Sequence, residues 1–138
     1  MSNPPKVFVD TSFFKAYIDI KDEFHQKALE IFEELKEKET LLITSNYILD
    51  ETFTLLRVKC NVEIAIEFKT VLEEFETGLK IVRVTVEDEA AAWNWFVKDW
   101  SKLSFTDCTS FALMKRLGIE KVAAFDDHFE RASYELVR

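Results

Sequence analysis

The stretch KVFVDTSFF, residues 6–14, joins a short apolar run to an aspartate and two hydroxyl residues. Residues 6–10 have the pattern of a buried β-strand, because valine and phenylalanine follow one another without a turn residue. From Thr11 onward the apolar positions follow helical spacing. Asp10 therefore stands where a strand gives way to a helix. There it could cap the helix, as aspartate often does, or form one wall of an acidic site.

The rest of the chain repeats this alternation of strand and helix. Further short apolar segments predict three strands and an optional edge strand, at residues 41–44, 79–84, 121–125 and 134–137. Further helices are predicted to start at Asp22, Ser45, Asn61, Thr85 and Ser104. Short strands that alternate with helices favour a mainly parallel sheet covered on both faces. The sequence therefore predicts an α/β fold, a three-layer α/β/α sandwich that forms one domain over residues 1–138.

The charge and composition restrict the class of protein. The chain carries 18 basic and 26 acidic residues, a formal net charge of -8. Such a chain does not hold nucleic acid by bulk positive charge, although a bound metal can reverse the field locally. The N-terminus lacks a secretory apolar region, and no segment approaches the roughly 18 uncharged apolar residues of a membrane span. With no CxxC pair around Cys60 or Cys108, we expect a reduced, cytoplasmic compartment and no membrane association.

Four acidic residues stand where they could meet at one edge of the sheet. Asp10 and Asp126 each end an apolar strand, and the carboxyl ends of parallel strands surround the functional crevice of such folds. Asp107 lies in the first turn of a predicted helix, and Glu51 lies on the inward face of a largely apolar helix. Each residue also has an ordinary interpretation, as a helix cap, a first-turn acid or the edge of an apolar stripe.

Four carboxylates in one crevice would repel one another unless a cation joined them. Oxygen ligands without clustered histidine or cysteine favour a hard ion, Mg²⁺ or Mn²⁺. Such an ion lowers the pKa of its bound water, and one or two ions can neutralise a phosphodiester. The pattern therefore favours metal-assisted phosphodiester hydrolysis. A phosphatase of the haloacid dehalogenase type would need a DxD signature, and Ser12 stands at its second aspartate.

The segments that carry these acids resemble a PIN domain, of the small single-domain kind found in VapC-type toxins. The matching segments are VDTSFF, SNYILDETFTLL, LSFTDCTSFALMKRLGI and VAAFDDHF, so the resemblance runs nearly the full length of the chain. It implies a Mg²⁺- or Mn²⁺-dependent endoribonuclease that hydrolyses RNA with metal-activated water. It also implies a catalytic and metal-binding set with two polar neighbours: Asp10, Glu51, Asp107 and Asp126, with Thr11 and Thr106.

The resemblance departs from the family pattern at Ala124, which stands where the family often has Thr or Ser two residues before the last aspartate. A polar contact to Asp126 is expected to be missing, and the adjacent Asp127 remains an alternative ligand. The alternative function is a PIN-like RNA-binding or assembly module with weak or no hydrolysis. Ala124 and the acidic composition keep that alternative open.

The toxin interpretation also implies partners. These are an RNA substrate, a small antitoxin protein that covers the acidic crevice, and a second copy of the chain in a homodimer. An exposed apolar groove around Phe14, Tyr17 and Phe24 is the expected docking place for the antitoxin.

Several residues near the motifs have both ordinary and functional interpretations. His128 is expected to be a surface or packing histidine rather than a substrate contact. Trp93 and Trp100 are expected to pack in the core or an interface, whereas Trp95 is expected to be partly exposed, as a candidate dimer contact. Basic residues that flank the last two motifs are either phosphate contacts or ordinary surface charge: Lys98, Lys102, Lys115, Arg116 and Arg131.

Overall fold

The computed structural model describes residues 4–75 and 78–138 of the chain. Within these ranges a five-stranded sheet forms the centre, with strand order β3-β2-β1-β4-β5 and parallel pairing throughout. Strands β1 to β5 span Lys6–Val9, Leu41–Ser45, Leu79–Val82, Lys121–Ala123 and Glu135–Leu136. Helices α1 to α7 span Thr11–Ile18, His25–Glu37, Asn46–Lys59, Val62–Glu74, Val86–Phe96, Phe105–Leu117 and His128–Arg131. The predicted α/β class with a parallel sheet flanked by helices is confirmed.

The core is centred on β1 and α6. Val7, Phe8 and Val9 of β1 are all buried, because this strand has neighbours on both edges and is covered on both faces. In α6 every residue from Cys108 to Met114 is buried, including two hydroxyl residues. A helix buried all round is a rigid support for the residues at its start. Asp107 lies in its first turn.

The helix starts follow the capping residues that the sequence offers. Ser45 and Asn61 accept a backbone N–H three residues on, as predicted, and Thr85 and Ser104 each form a full capping box. Asp22 was wrongly predicted to cap α2. Its carboxylate accepts from Phe24 N at 2.8 Å and lies 2.8 Å from Lys15 Nζ, so it shapes the turn before α2 instead.

Two strands end earlier than predicted because side chains take the backbone groups that would have extended them. β4 ends at Ala123, and Phe125 N donates to Ser12 Oγ at 2.9 Å. β3 ends at Val82, and Val84 N donates to the Asn46 side chain at 2.8 Å.

Trp100 packs as predicted and Trp95 is partly exposed as predicted, but Trp93 does not lie in the core. Trp93 is 54% exposed, whereas Trp95 packs on Phe111 and Trp100 with ring centroids 5.1 and 5.8 Å away. The inward stripe of α5 contains Asp88, a residue that looks like a surface position. Its charge is held by Arg116, with Nε–Oδ1 at 2.8 Å and Nη2–Oδ2 at 2.9 Å.

The groove expected around Phe14, Tyr17 and Phe24 does not form as an exposed surface. Phe14 is 4% exposed, and Tyr17 packs against Phe32 and Phe75 with centroids 5.0 and 6.1 Å away. Phe24 alone of the three is exposed, at 39%. Among the described helices, none is long and apolar enough to cross a membrane.

Candidate active site

The acidic residues gather at the carboxyl edge of the two central strands. β1 and β4 are neighbours, and Asp10 N, directly after β1, donates to Ala123 O at the end of β4 at 3.1 Å. Asp126 follows β4 after a short turn, and α6 brings Asp107 to the same place. Asp107, Asp126 and His128 each offer a ligand atom, and these atoms lie within 4.8 Å of one another. Residues far apart in the sequence thus meet at one site.

Asp10 is almost fully buried, and its two carboxylate oxygens have different surroundings. Its Oδ2 accepts from Ser12 N at 3.1 Å and from Ser12 Oγ at 2.7 Å, which caps α1. Its Oδ1 is buried and has no hydrogen-bond partner among the described residues. Burial, with the nearby charge of Asp107, raises the pKa of Asp10 to about 7. A buried acceptor without a donor is costly, and a cation at Oδ1 would satisfy it.

Asp107 also combines a capping role with a place in the cluster. Its Oδ2 accepts from Ser104 N at 3.2 Å while its own N–H donates to Ser104 Oγ at 3.0 Å. The same Oδ2 lies 3.2 Å from His128 Nδ1. Burial and the charge of Asp126 raise the pKa of Asp107, while Ser104 and His128 oppose the rise. The helix cap therefore fixes the direction of this carboxylate.

His128 lies inside the acidic cluster, where its ring packs against two of the acids. Its Nδ1 lies 3.1 Å from Asp126 Oδ1, and its Nε2 lies 2.9 Å from the Ser101 carbonyl. Because both ring nitrogens face acceptors, the protonated ring satisfies more of these contacts than either neutral form. Burial alone would lower the pKa of His128, but the Ser101 carbonyl and the two aspartates outweigh it, and the pKa is raised.

Glu51 is half-buried on α3 and is coupled to the other acids. Burial raises its pKa, the Thr11 hydroxyl opposes the rise, and the charges of Asp107 and Asp126 add to it. Thr11 itself is buried against α3, with Thr52 Oγ1 3.3 Å from its hydroxyl. It is therefore a polar neighbour of Glu51. Thr106 has a different place, because its backbone carbonyl accepts from the hydroxyls of Thr109 and Ser110 within α6.

Asp126 and Asp127 point to different surroundings. Asp126 Oδ1 accepts from His128 N at 2.7 Å, so the polar contact expected to be missing because of Ala124 comes from His128. Asp127 is exposed and lines a neighbouring cavity. The geometry therefore favours Asp126 as the member of the acidic cluster.

Most of the basic residues near the motifs already have partners in the fold. Arg116 binds Asp88, the Arg131 guanidinium lies 4.4 Å from the Trp100 ring centroid, and Lys98 lies 5.7 Å from that of Trp95. These contacts favour structural roles for the three residues.

The set of donors fits a hard divalent cation. It consists of buried or half-buried carboxylates with one imidazole nearby, and carboxylates suit Mg²⁺ and Mn²⁺. Burial and mutual repulsion raise the pKa values of Asp10, Glu51 and Asp107. A bound cation would offset both effects by stabilising the ionised carboxylates. The residues present therefore fit a metal site.

Comparisons with known proteins agree with this fold. The PIN domain family model matches residues 7–134. Two relatives from Mycobacterium tuberculosis strains CDC 1551 and H37Rv, each named 23S rRNA-specific endonuclease VapC20, are 36% identical over 133 residues, covering 96% of this chain and 98% of theirs. The crystal structure of the M. tuberculosis VapC20 sarcin–ricin loop cleaving toxin superposes with a TM-score of 0.82 at 34% identity, covering 93% of this chain and 95% of that one. The chain belongs to the PIN-domain family, among the VapC-type toxins.

Proposed function

We propose that this protein is a Mg²⁺- or Mn²⁺-dependent endoribonuclease and the toxin of a VapBC-type pair. The observation that supports this most is the buried Oδ1 of Asp10, which has no hydrogen-bond partner in residues 4–75 and 78–138 and lies beside the other acidic residues. When bound there, the ion would lower the pKa of a coordinated water and neutralise the phosphodiester. The net charge of -8 makes such a local reversal of the field necessary for an anionic substrate.

Each side chain of the site has a separate proposed role in RNA hydrolysis. Asp10, Asp107 and Asp126 hold the ion. Glu51 is half-buried on α3 beside the other acids, so its carboxylate is a candidate to take a proton from the attacking water. Thr11 orients Glu51 through its hydroxyl. His128 positions Asp107 and Asp126 by donating hydrogen bonds to them.

The proposed substrate is a structured ribosomal RNA loop. The relatives named above are described as specific for 23S rRNA, and the solved one as cleaving the sarcin–ricin loop. The similarity extends over nearly the whole of both chains, which supports a shared substrate. We also propose that the chain forms a homodimer and binds a co-expressed antitoxin. Light scattering gives the molar mass of the chain alone, which tests the homodimer, and of the chain with its antitoxin, which tests the complex.

Cleavage of a sarcin–ricin hairpin RNA and of 23S rRNA, with Mg²⁺ or Mn²⁺, tests the activity. Asp10→Asn and Asp107→Asn should each lower the rate by more than the roughly 10–100-fold typical of changing a neighbour of a metal ligand. Asp50→Asn is the matched control, because Asp50 is exposed beside Glu51. This variant should cleave RNA at the wild-type rate. Unchanged cleavage by both site variants would refute the assignment.

Calorimetric metal titration separates the nuclease from the binding or assembly module. The nuclease should bind Mg²⁺ or Mn²⁺ in a way that Asp10→Asn abolishes, and it should cleave RNA under the same conditions. RNA binding without cleavage, or metal binding indifferent to Asp10, would favour the module.

A further inference from the structure

A cavity of about 410 Å³ lies beside the acidic cluster. The aromatic and charged residues that line it are Phe24, Lys27, Phe125, Asp127 and Arg138. Its volume lies in the range of pockets that bind small ligands. None of the roles assigned above to the acidic residues uses it.

The wall of this cavity is tied to the acidic cluster by the backbone and by one hydroxyl. Phe125 directly precedes Asp126. Its N–H donates to Ser12 Oγ at 2.9 Å, and that hydroxyl donates to Asp10 Oδ2 at 2.7 Å. A polymer that places a phosphate at the acids therefore has its neighbouring units within reach of the cavity.

The cavity offers a stack of aromatic rings. The rings of Phe24 and Phe125 are 3° from parallel with centroids 4.6 Å apart, and those of Phe13 and Phe125 are 7° from parallel at 6.0 Å. Phe13 is buried, while Phe24, at the end of the stack, is 39% exposed. An exposed ring that ends a parallel stack is a surface on which a planar base can stack.

The charged residues of the cavity complement a nucleotide. Lys27, on α2, is exposed. Arg138 Nη2 lies 3.7 Å from Glu130 Oε2, and this ion pair is weak because both side chains are exposed. Two cations at one cavity of an acidic protein suit a phosphate. The Asp127 carboxylate can only accept hydrogen bonds when ionised, so it suits the N–H groups on the edge of a base.

We propose that this cavity binds an unpaired base of the RNA substrate next to the scissile phosphate, a role that rests on the proposed nuclease function. The base extends the stack of Phe24 and Phe125. Lys27 and Arg138 contact the phosphate beside it, and Asp127 accepts from its edge. The cavity thereby selects substrates whose base can leave its own helical stack, as bases in loops can.

The test uses the full chain with Glu51→Gln in the background and Mg²⁺ present, so that the aspartates still hold the ion and binding is measured without cleavage. The probe is the sarcin–ricin hairpin with 2-aminopurine at successive loop positions, because its fluorescence reports stacking. One position should be quenched on binding. Phe24→Ala should remove that quenching and raise Kd about tenfold, within the range for loss of one stacked base.

Two controls isolate the stacking. Phe24→Trp should keep the quenching, because a larger ring can replace the smaller one. Phe96→Ala, at an equally exposed phenylalanine on α5, should leave both the quenching and Kd unchanged.

The salt dependence of binding tests the cations. Because Lys27 and Arg138 contact the same phosphate, the double variant Lys27→Ala/Arg138→Ala should reduce the slope of log K against log salt by about 0.7, the value for one phosphate contact to a single strand. Lys36→Ala is the matched control, because Lys36 is exposed near the other end of the same helix.

The outcomes separate this site from the nuclease activity. Suppose that wild type cleaves the hairpin, but that no loop position is quenched or that quenching is unchanged in Phe24→Ala. The proposed base site is then wrong, while the nuclease function is supported. If wild type does not cleave but the quenching depends on Phe24, the base site stands and the nuclease is wrong. If Phe24→Ala binds the hairpin normally but loses the co-expressed antitoxin, the cavity binds a peptide instead.

Discussion

Asp10 shows how one residue can cap a helix and still belong to a metal site. The sequence left these two interpretations open, and the geometry explains why they are compatible. Oδ2 accepts the capping hydrogen bonds, while Oδ1 receives none from the part of the chain that the structure describes. The sequence did not predict that His128 would contact the acids of the site. The signal for this was the position of His128 two residues after a strand-end aspartate, but one histidine in such a position is most often structural. Only the approach of α6 and of the Ser101 carbonyl gives it three acceptors.

At the scale of this residue, we predict that His128→Asn lowers cleavage by roughly 10–100-fold, the usual cost of losing a partner of a metal ligand. The variant should also shift the acidic limb of the pH–rate profile to higher pH. The reason is that His128 holds down the pKa of Asp107, so its loss lets that pKa rise further. His25→Asn is the control, because His25 Nδ1 contacts the Ala16 carbonyl outside the site. An unshifted profile in His128→Asn would contradict the positioning role.

At the scale of elements, the sequence predicted the types of helices and strands well, since their starts depend on local capping residues. It failed where a distant partner changed the meaning of a residue. The inward stripe of α5 was misjudged because Asp88 is neutralised by Arg116, 28 residues away in sequence. The end of β4 was placed two residues late because Ser12, from α1, takes the N–H of Phe125. Neither partner can be identified from spacing alone.

The two capping boxes give an internally controlled prediction at this scale. Ser104→Ala and Thr85→Ala each remove one side-chain cap, so each should lower the free energy of unfolding by about 1 kcal/mol. Only the Ser104 box contains an acid of the site, Asp107. Chemical denaturation should therefore find similar losses, while metal affinity and RNA cleavage should fall in Ser104→Ala alone. Equal cleavage by the two variants would mean that the Ser104 hydroxyl is not needed to place Asp107, because the bond from Ser104 N to the Asp107 carboxylate remains in Ser104→Ala.

At the scale of the whole molecule, the strand order explains why acids from four distant segments meet. β1 lies between β2 and β4, so the chain leaves β1 toward one side of the sheet while β4 lies on the other. Ligands in parallel sheets bind at such a point. The sequence predicted that strand-end acids would share an edge, but not that β1 and β4 would be neighbours, because long-range pairing has no local signal.

The same cluster makes the stability of the whole molecule depend on pH and on metal. Asp10, Glu51 and Asp107 have raised pKa values in the folded chain, so between about pH 4 and pH 7 the folded chain binds more protons than the unfolded one. With a chelator present, the free energy of unfolding should therefore fall as pH rises through this window. The rise in the pKa of Asp10 from 3.8 to about 7 accounts for on the order of 4 kcal/mol of this fall in the free energy of unfolding. Asp10→Asn should flatten the fall, and Mg²⁺ should restore stability at pH 7 in wild type but not in the variant; identical denaturation profiles with Mg²⁺ and with chelator would contradict a metal at this site.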